Sequence, residues 1–221
     1  MDGDADDADR IVQWDGPGLD AWRPWTPAEA AARLEGVAAT WCVVGGWSID
    51  LAVDRPTRVH EDLEIATVPT DLASIREHLH PLVFHSVGEG YVQRLAPGAD
   101  GPPDRHQHWV LDEEADAWRI DVMVEPGDAD TWVFRRDPRV HAPRSVMVGT
   151  TDDGIPYLRP HGTLLFKAKR SSDKDDADFA IAVPQLTDDE RGWLARALTR
   201  LHPGHEWIDR LAGPAGAEAL G

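Results

Sequence analysis

Gly45-Gly46-Trp47-Ser48-Ile49-Asp50 and, after a short gap, Arg58-Val59-His60-Glu61-Asp62-Leu63-Glu64-Ile65 are the stretches on which the fold turns. Trp41-Cys42-Val43-Val44, just before them, reads as a short apolar strand, and Ile49 and Leu51 as part of a helical turn or two after the glycines. The second stretch reads as a strand over Glu61–Thr67. Side chains alternate along a strand, so His60, Asp62 and Glu64 share one face, while Leu63 and Ile65 pack inward from the other. Two carboxylates at that spacing repel each other unless a cation sits between them. Oxygen ligands without cysteine suit a hard ion such as Mg²⁺, which takes one or two carboxylates and leaves its other positions to water and phosphates.

A third acid comes later. Trp118-Arg119-Ile120-Asp121-Val122-Met123-Val124-Glu125 alternates cleanly, with Asp121 in mid-strand among apolar neighbours. A carboxylate there is costly to bury alone, so it calls for a metal, an arginine such as Arg119 or Arg58, or a reacting hydroxyl. Glu125, beside Pro126-Gly127, stands nearer a strand end and is the more easily solvated acid. At the other motif, Gly45-Gly46 lets backbone N–H groups approach a phosphate closely, the following helix start adds partial positive charge, and Ser48 adds a hydroxyl. Neither a P-loop nor a dinucleotide fingerprint is present. The plainer alternatives are a solvated strand face for Asp62 and Glu64, a structural hydrogen bond for His60, and a core position for Trp47. His106-Gln107-His108 has the spacing of two metal ligands but no third nearby.

The chain has 221 residues, enough for a sizeable core. It carries 40 Asp+Glu against 22 Lys+Arg, a net charge of −18. Such a balance disfavours nucleic-acid binding, which depends on neutralising cations, and favours a cationic small substrate or bound metal ions. Only three of the cations are lysines, Lys167, Lys169 and Lys174, gathered within eight residues; a compact ammonium suits a polyphosphate tail. One cysteine, Cys42, excludes an internal disulfide. No run is long and apolar enough for a membrane span, and the start, Met1 to Asp9, is acidic rather than signal-like, so a cytoplasmic protein is expected.

Thr26-Pro27-Ala28-Glu29 and Thr187-Asp188-Asp189-Glu190 read as capping boxes, opening helices towards Ala39 and Leu201. A helix near Asp71–Leu79, capped by Thr70, follows the acidic strand. The middle is β-rich, with strands expected at Leu82–Ser86, Tyr91–Leu95, His108–Leu111, Trp118–Val124 and Thr131–Phe134. Helices are expected at Gly162–Arg170, Lys174–Val183 and Glu206–Leu211. The fold class is α+β: an acidic leader and Trp/Pro-rich lead-in over residues 1–25, a mixed sheet flanked by helices over 26–158, and a helical lobe over 159–221.

Taken together, the Gly-Gly motif, the Asp62/Glu64 pair and the later Asp121 resemble the nucleotidyltransferase superfamily related to DNA polymerase β. More narrowly, residues 45–51 and 58–65 are similar to the aminoglycoside 2''-nucleotidyltransferase and lincosamide nucleotidyltransferase branch. Leu164-Leu165-Phe166-Lys167-Ala168-Lys169-Arg170 with Lys174-Asp175-Asp176-Ala177-Asp178-Phe179 looks like that branch's second signature. The resemblance implies transfer of a nucleoside monophosphate, AMP from ATP before other nucleotides, to a hydroxyl of a small acceptor such as an aminoglycoside-type antibiotic. It implies that Asp62 and Glu64 hold two Mg²⁺ ions. Asp121 would act as base and as a further metal ligand. Gly45, Gly46 and Ser48 would cradle the triphosphate, with Lys167, Lys169 or Lys174 offsetting its charge. Glu64 departs from the branch, which usually carries Asp there. Two rival readings keep the same residues: transfer to a tRNA or protein, as in toxin-like relatives, and a module that binds nucleotide without turnover.

Overall fold

The computed structural model describes residues 16–99, 101–102, 104–170 and 172–212; the acidic leader, Trp14 and the Gly/Ala tail lie outside them. In chain order the elements are α1 (Pro27–Arg33), β1 (Trp41–Val43), α2 (Gly45–Ala52), β2 (Glu64–Thr67), α3 (Leu72–His78), β3 (Val83–Gly88), β4 (Tyr91–Arg94), β5 (Gln107–Asp112), β6 (Ala117–Val124), β7 (Thr131–Val133), β8 (His141–Pro143), α4 (Arg144–Met147), β9 (Val148–Thr150), β10 (Pro156–Leu158), α5 (Pro160–Lys167), α6 (Asp173–Ala182), α7 (Asp188–Leu201) and α8 (Trp207–Ala212). The class is α+β, as expected. No helix among the described residues is long and apolar enough to cross a membrane.

The described chain divides into two units that interleave in sequence: one takes the residues up to Trp41 with Glu61–Ala129, the other Cys42–His60 with the residues from Asp130 onward.

In the first unit the strands run β4-β3-β5-β6-β2. β2 and β6 pair in parallel, and the other neighbours are antiparallel. The Trp/Pro-rich lead-in lies along the start of β6: Trp118 N donates to Ala21 O and Arg23 N to Trp118 O, both 3.0 Å. Trp22, Trp109 and Trp118 then build one aromatic core, Trp109 standing 5.3 Å edge-on from each of the other two. The capping box at Thr26 forms as expected, but α1 stops at Arg33 rather than near Ala39. Gly36 follows with φ of 76°, a conformation that ends a helix and that glycine adopts freely. β2 is shorter than the strand expected from Glu61. Thr70 does not cap α3: a 3₁₀ turn over Pro69–Asp71 leads into it, and the Asp71 carboxylate instead accepts from Thr40 N at 2.7 Å.

In the second unit β1 pairs in parallel with β10, and β10 antiparallel with β9. β7 and β8 form a separate ribbon. The helices α5 to α8 cover the expected helical region, and the second capping box is present: Glu190 N donates to Thr187 Oγ1 at 3.3 Å, and Thr187 N to Glu190 Oε2 at 2.9 Å. Phe179 stacks on Trp207 at 4.4 Å, with the Arg210 guanidinium 4.4 Å from the Phe179 ring. The strands β8, β9 and β10 and the single-turn α4 have no counterpart in the sequence reading. Three residues, two of the segments containing proline, are too few for a period of two to show.

Candidate active site

The acids belong to the first unit. Leu63 and Ile65 are fully buried while Asp62 is exposed and Glu64 half-buried, the alternation the sequence implied. Asp62 stands on the approach to β2, and Glu64 opens the strand. The parallel ladder sets Glu64 directly beside Asp121 of β6, and Asp121 N donates to Leu63 O at 2.8 Å. Two carboxylates from two strands are therefore neighbours by register, with Asp62 two residues upstream.

Asp121 is 2% exposed. Its Oδ2 accepts from the Gln107 amide at 2.5 Å, and its Oδ1 is buried with no hydrogen-bond partner. Burial, and then the charges of Glu64 and Asp62, push its carboxyl well above the ordinary range, against hydrogen bonding from Gln107 and from the Trp109 side chain. The arginine alternative is not met. Arg119 bonds Asp112 through Nε and Nη2, at 3.1 and 3.0 Å, and Arg23 O through Nη1. Arg58 pairs with Asp178. Glu125 corrects the sequence reading: it is 7% exposed rather than solvated at a strand end, its N–H bonded to Thr67 O at 2.8 Å. Among the described residues no three or more His, Cys, Asp or Glu side chains stand at metal-binding spacing. The donor chemistry nonetheless fits a hard divalent cation, since a buried orphan carboxylate oxygen lies beside a second carboxylate that raises its proton affinity.

The glycine motif belongs to the second unit. Gly45 and Gly46 are not a loop before the helix but its first residues, with Val44 as N-cap. Gly45 has φ of 64°, and a Cβ on Gly46 would fall 2.0 Å from Arg58 Nη2 and 2.8 Å from His60 Cε1. Two glycines are thus demanded by backbone shape and by the guanidinium lying on the turn. His60 Nε2 bonds Asp50 Oδ2 at 2.7 Å, the other Asp50 oxygen accepts from Thr57, and Trp47 stacks on the His60 ring at 4.3 Å. His60 is a structural hydrogen-bonding group, as its plainer reading held.

Ser48 is fully buried. Its hydroxyl donates to Gly45 O at 2.8 Å and shares a 2.6 Å bond with Thr163 Oγ1. Lys167 bonds Asp175 at 2.8 Å and Asp178 at 2.9 Å. Burial would pull its ammonium down, but these two carboxylates hold it above the usual value. Lys169 and Lys174 are exposed. The lysine cluster is therefore divided between one internal ion pair and two surface cations. Gln107 and Asp50 went unassigned in the sequence reading. Gln107 sits between two histidines, and only alternation along β5 shows that it faces Asp121.

The first unit thus carries facing acids on a parallel β2–β6 pair, and the second a helix that opens on Gly-Gly. Residues 28–100 match the family model described as aminoglycoside-2''-adenylyltransferase. No curated protein sequence matches it. Among solved structures it resembles a solution structure of the antibiotic-resistance factor ANT(2'')-Ia, at 11% identity and a TM-score of 0.53, covering 83% of this chain and 94% of that one. A crystal structure of ANT(2'')-Ia in complex with adenylyl-2''-tobramycin aligns at 11% identity and a TM-score of 0.50, covering 79% and 94%. The lincosamide antibiotic adenylyltransferase LnuA, lincomycin-bound, aligns at 15% identity and 0.50, covering 72% and 95%.

Proposed function

We propose that this enzyme is a cytoplasmic Mg²⁺-dependent adenylyltransferase that moves AMP from ATP to a hydroxyl of an aminoglycoside-type antibiotic. The observation that carries the proposal is Asp121, buried beside Glu64 with one oxygen unpartnered. Asp62, Glu64 and Asp121 are the side chains that hold two magnesium ions, which when bound stabilise the charge on the attacking and leaving oxygens. Asp121 also accepts the proton of the acceptor hydroxyl. Gly45 and Gly46 present backbone N–H groups to the triphosphate. Ser48, whose hydroxyl is engaged with Gly45 and Thr163, holds the start of α2 in place. Lys169 and Lys174 offset triphosphate charge from the surface, while Lys167 braces α5 against α6 through its two aspartates.

The net charge of −18 favours a polycationic acceptor over a neutral one. That support is independent of the neighbours, one solved with an adenylylated aminoglycoside and another with lincomycin. Labelled ATP and Mg²⁺ with a panel including tobramycin and lincomycin is the test. Transfer to an aminoglycoside is the expected result; no transfer to any member of the panel removes the antibiotic reading.

A further inference from the structure

The first unit contains a cavity that the adenylyltransferase reading leaves unused. It has a volume of about 1380 Å³ and lies among α3, β3, β5 and the connection before β5, ample for a small organic ligand. His108 lines it. Alternation along β5 puts His108 on the face opposite Gln107, whose amide bonds Asp121, so the cavity is on the reverse side of the sheet from the acids.

His108 is 1% exposed; the Val122 backbone is the hydrogen-bonding group that acts on its ring, and neither ring nitrogen makes a hydrogen bond of good geometry. Ser86, its register partner on β3, is fully buried with an unpartnered hydroxyl. A buried polar group without a partner costs about 1–3 kcal/mol, and two side by side next to a cavity call for something to bond them. Arg76, Arg94 and Arg105 line the cavity together with Glu77 and Glu113, Arg94 being paired with Glu113, and Arg76 and His106 both act on the His108 ring electrostatically. The Arg76 guanidinium is anchored at the cavity by the carbonyls of Ala96 and Ala99. Phe84, Leu95 and Val124 supply apolar wall. Gly101 closes against the histidine, where a Cβ would fall 2.8 Å from His108 Nε2.

We propose that this cavity binds a small organic carboxylate, its apolar body on Phe84, Leu95 and Val124 and its carboxylate on His108 beside Arg76. Burial keeps the imidazole neutral, with a pKa of about 4, so one ring N–H is available to donate to the carboxylate. The arginine supplies the charge, and the apolar walls select against a bare inorganic anion.

Isothermal titration of the full chain with benzoate and hexanoate tests this, with benzylamine and inorganic phosphate as comparisons. Carboxylate binding that weakens at least tenfold in His108→Leu and in Gly101→Ala, with no benzylamine binding, is the expected result. Gly101 is in a connecting segment, so its alanine variant keeps the test open if His108→Leu fails to fold, which thermal melting reveals. Adenylyl transfer is read in parallel and stays unchanged in both variants. The proposal is overturned if neither carboxylate binds, the cavity then holding ordered water only. It is equally overturned if both variants bind as the parent does, or if phosphate binds as tightly as benzoate.

Discussion

The two units treat buried charge in opposite ways. In the second, Lys167 meets Asp175 and Asp178, Arg58 meets Asp178, and Asp50 accepts from both Thr57 and His60. In the first, Asp121 is packed beside another carboxylate with an oxygen left unbonded. A satisfied network returns its desolvation cost through its own bonds and so reads as architecture. An unsatisfied acid kept beside a like charge is destabilising by itself, and its retention points to a ligand that the folded chain receives.

Substitution separates the two cases. Asp121→Asn should lower transfer on the order of 10³-fold, since it removes both a proton acceptor and a metal-binding oxygen. Its melting temperature should equal or exceed that of the parent, because a repelled carboxylate is replaced by a neutral amide. A fall in melting temperature with transfer intact would assign Asp121 to the architectural class. Lys167→Met should do the reverse. It leaves Asp178, which is 1% exposed in its side chain, without its lysine, and denaturant unfolding should show a loss of about 3 kcal/mol.

A third comparison uses pH. Burial depresses His85 and His108 in the first unit and His161 in the second to about 4. Their contribution to stability is fully present above about pH 6.5, where the unfolded chain also leaves them neutral. It is lost as pH falls from there to about 4, because the unfolded chain takes up protons that the folded one refuses. Asp121, raised rather than depressed, works in the opposite direction. Melting temperatures between pH 7 and pH 4.5 should therefore decline, and the decline should be shallower in His85→Phe. An unchanged slope in that variant would show that His85 takes up its proton in the folded state. The smallest effect is expected at a helix start: Thr187→Ala removes one side of a capping box and should cost about 1 kcal/mol in unfolding, with transfer unaffected.

Much of the acid site could be read from residues alone. Alternation over 118–125 put Asp121 in mid-strand, and alternation over 61–65 separated Leu63 and Ile65 from the two carboxylates. What the pattern could not give was register. Nothing local in Gln107 tells that it bonds Asp121, fourteen residues away in the chain, or that Glu64 rather than Asp62 lies directly beside that acid. Glu125 was misread for a related reason: a position beside Pro-Gly suggests a solvated strand end, but the ladder to Thr67 carries it into the interior. In the second unit nothing in the sequence separated Lys167 from Lys174. Only the packing of α5 and α6 turned Lys167 inward to its aspartates and left Lys169 and Lys174 outside. The ribbon of β7 and β8 was half seen, because Thr131–Phe134 carries β-branched and aromatic residues while His141–Pro143 does not.

Crystals grown with Mn²⁺ and a non-hydrolysable ATP analogue offer the most direct test, since manganese can be located by its anomalous scattering. Manganese coordinated by Asp62 and Glu64, with Asp121 turned to the same ions, is the expected outcome. Nucleotide bound with no manganese near these carboxylates, or Asp121 still bonded to Gln107 and out of reach of any ion, would contradict it.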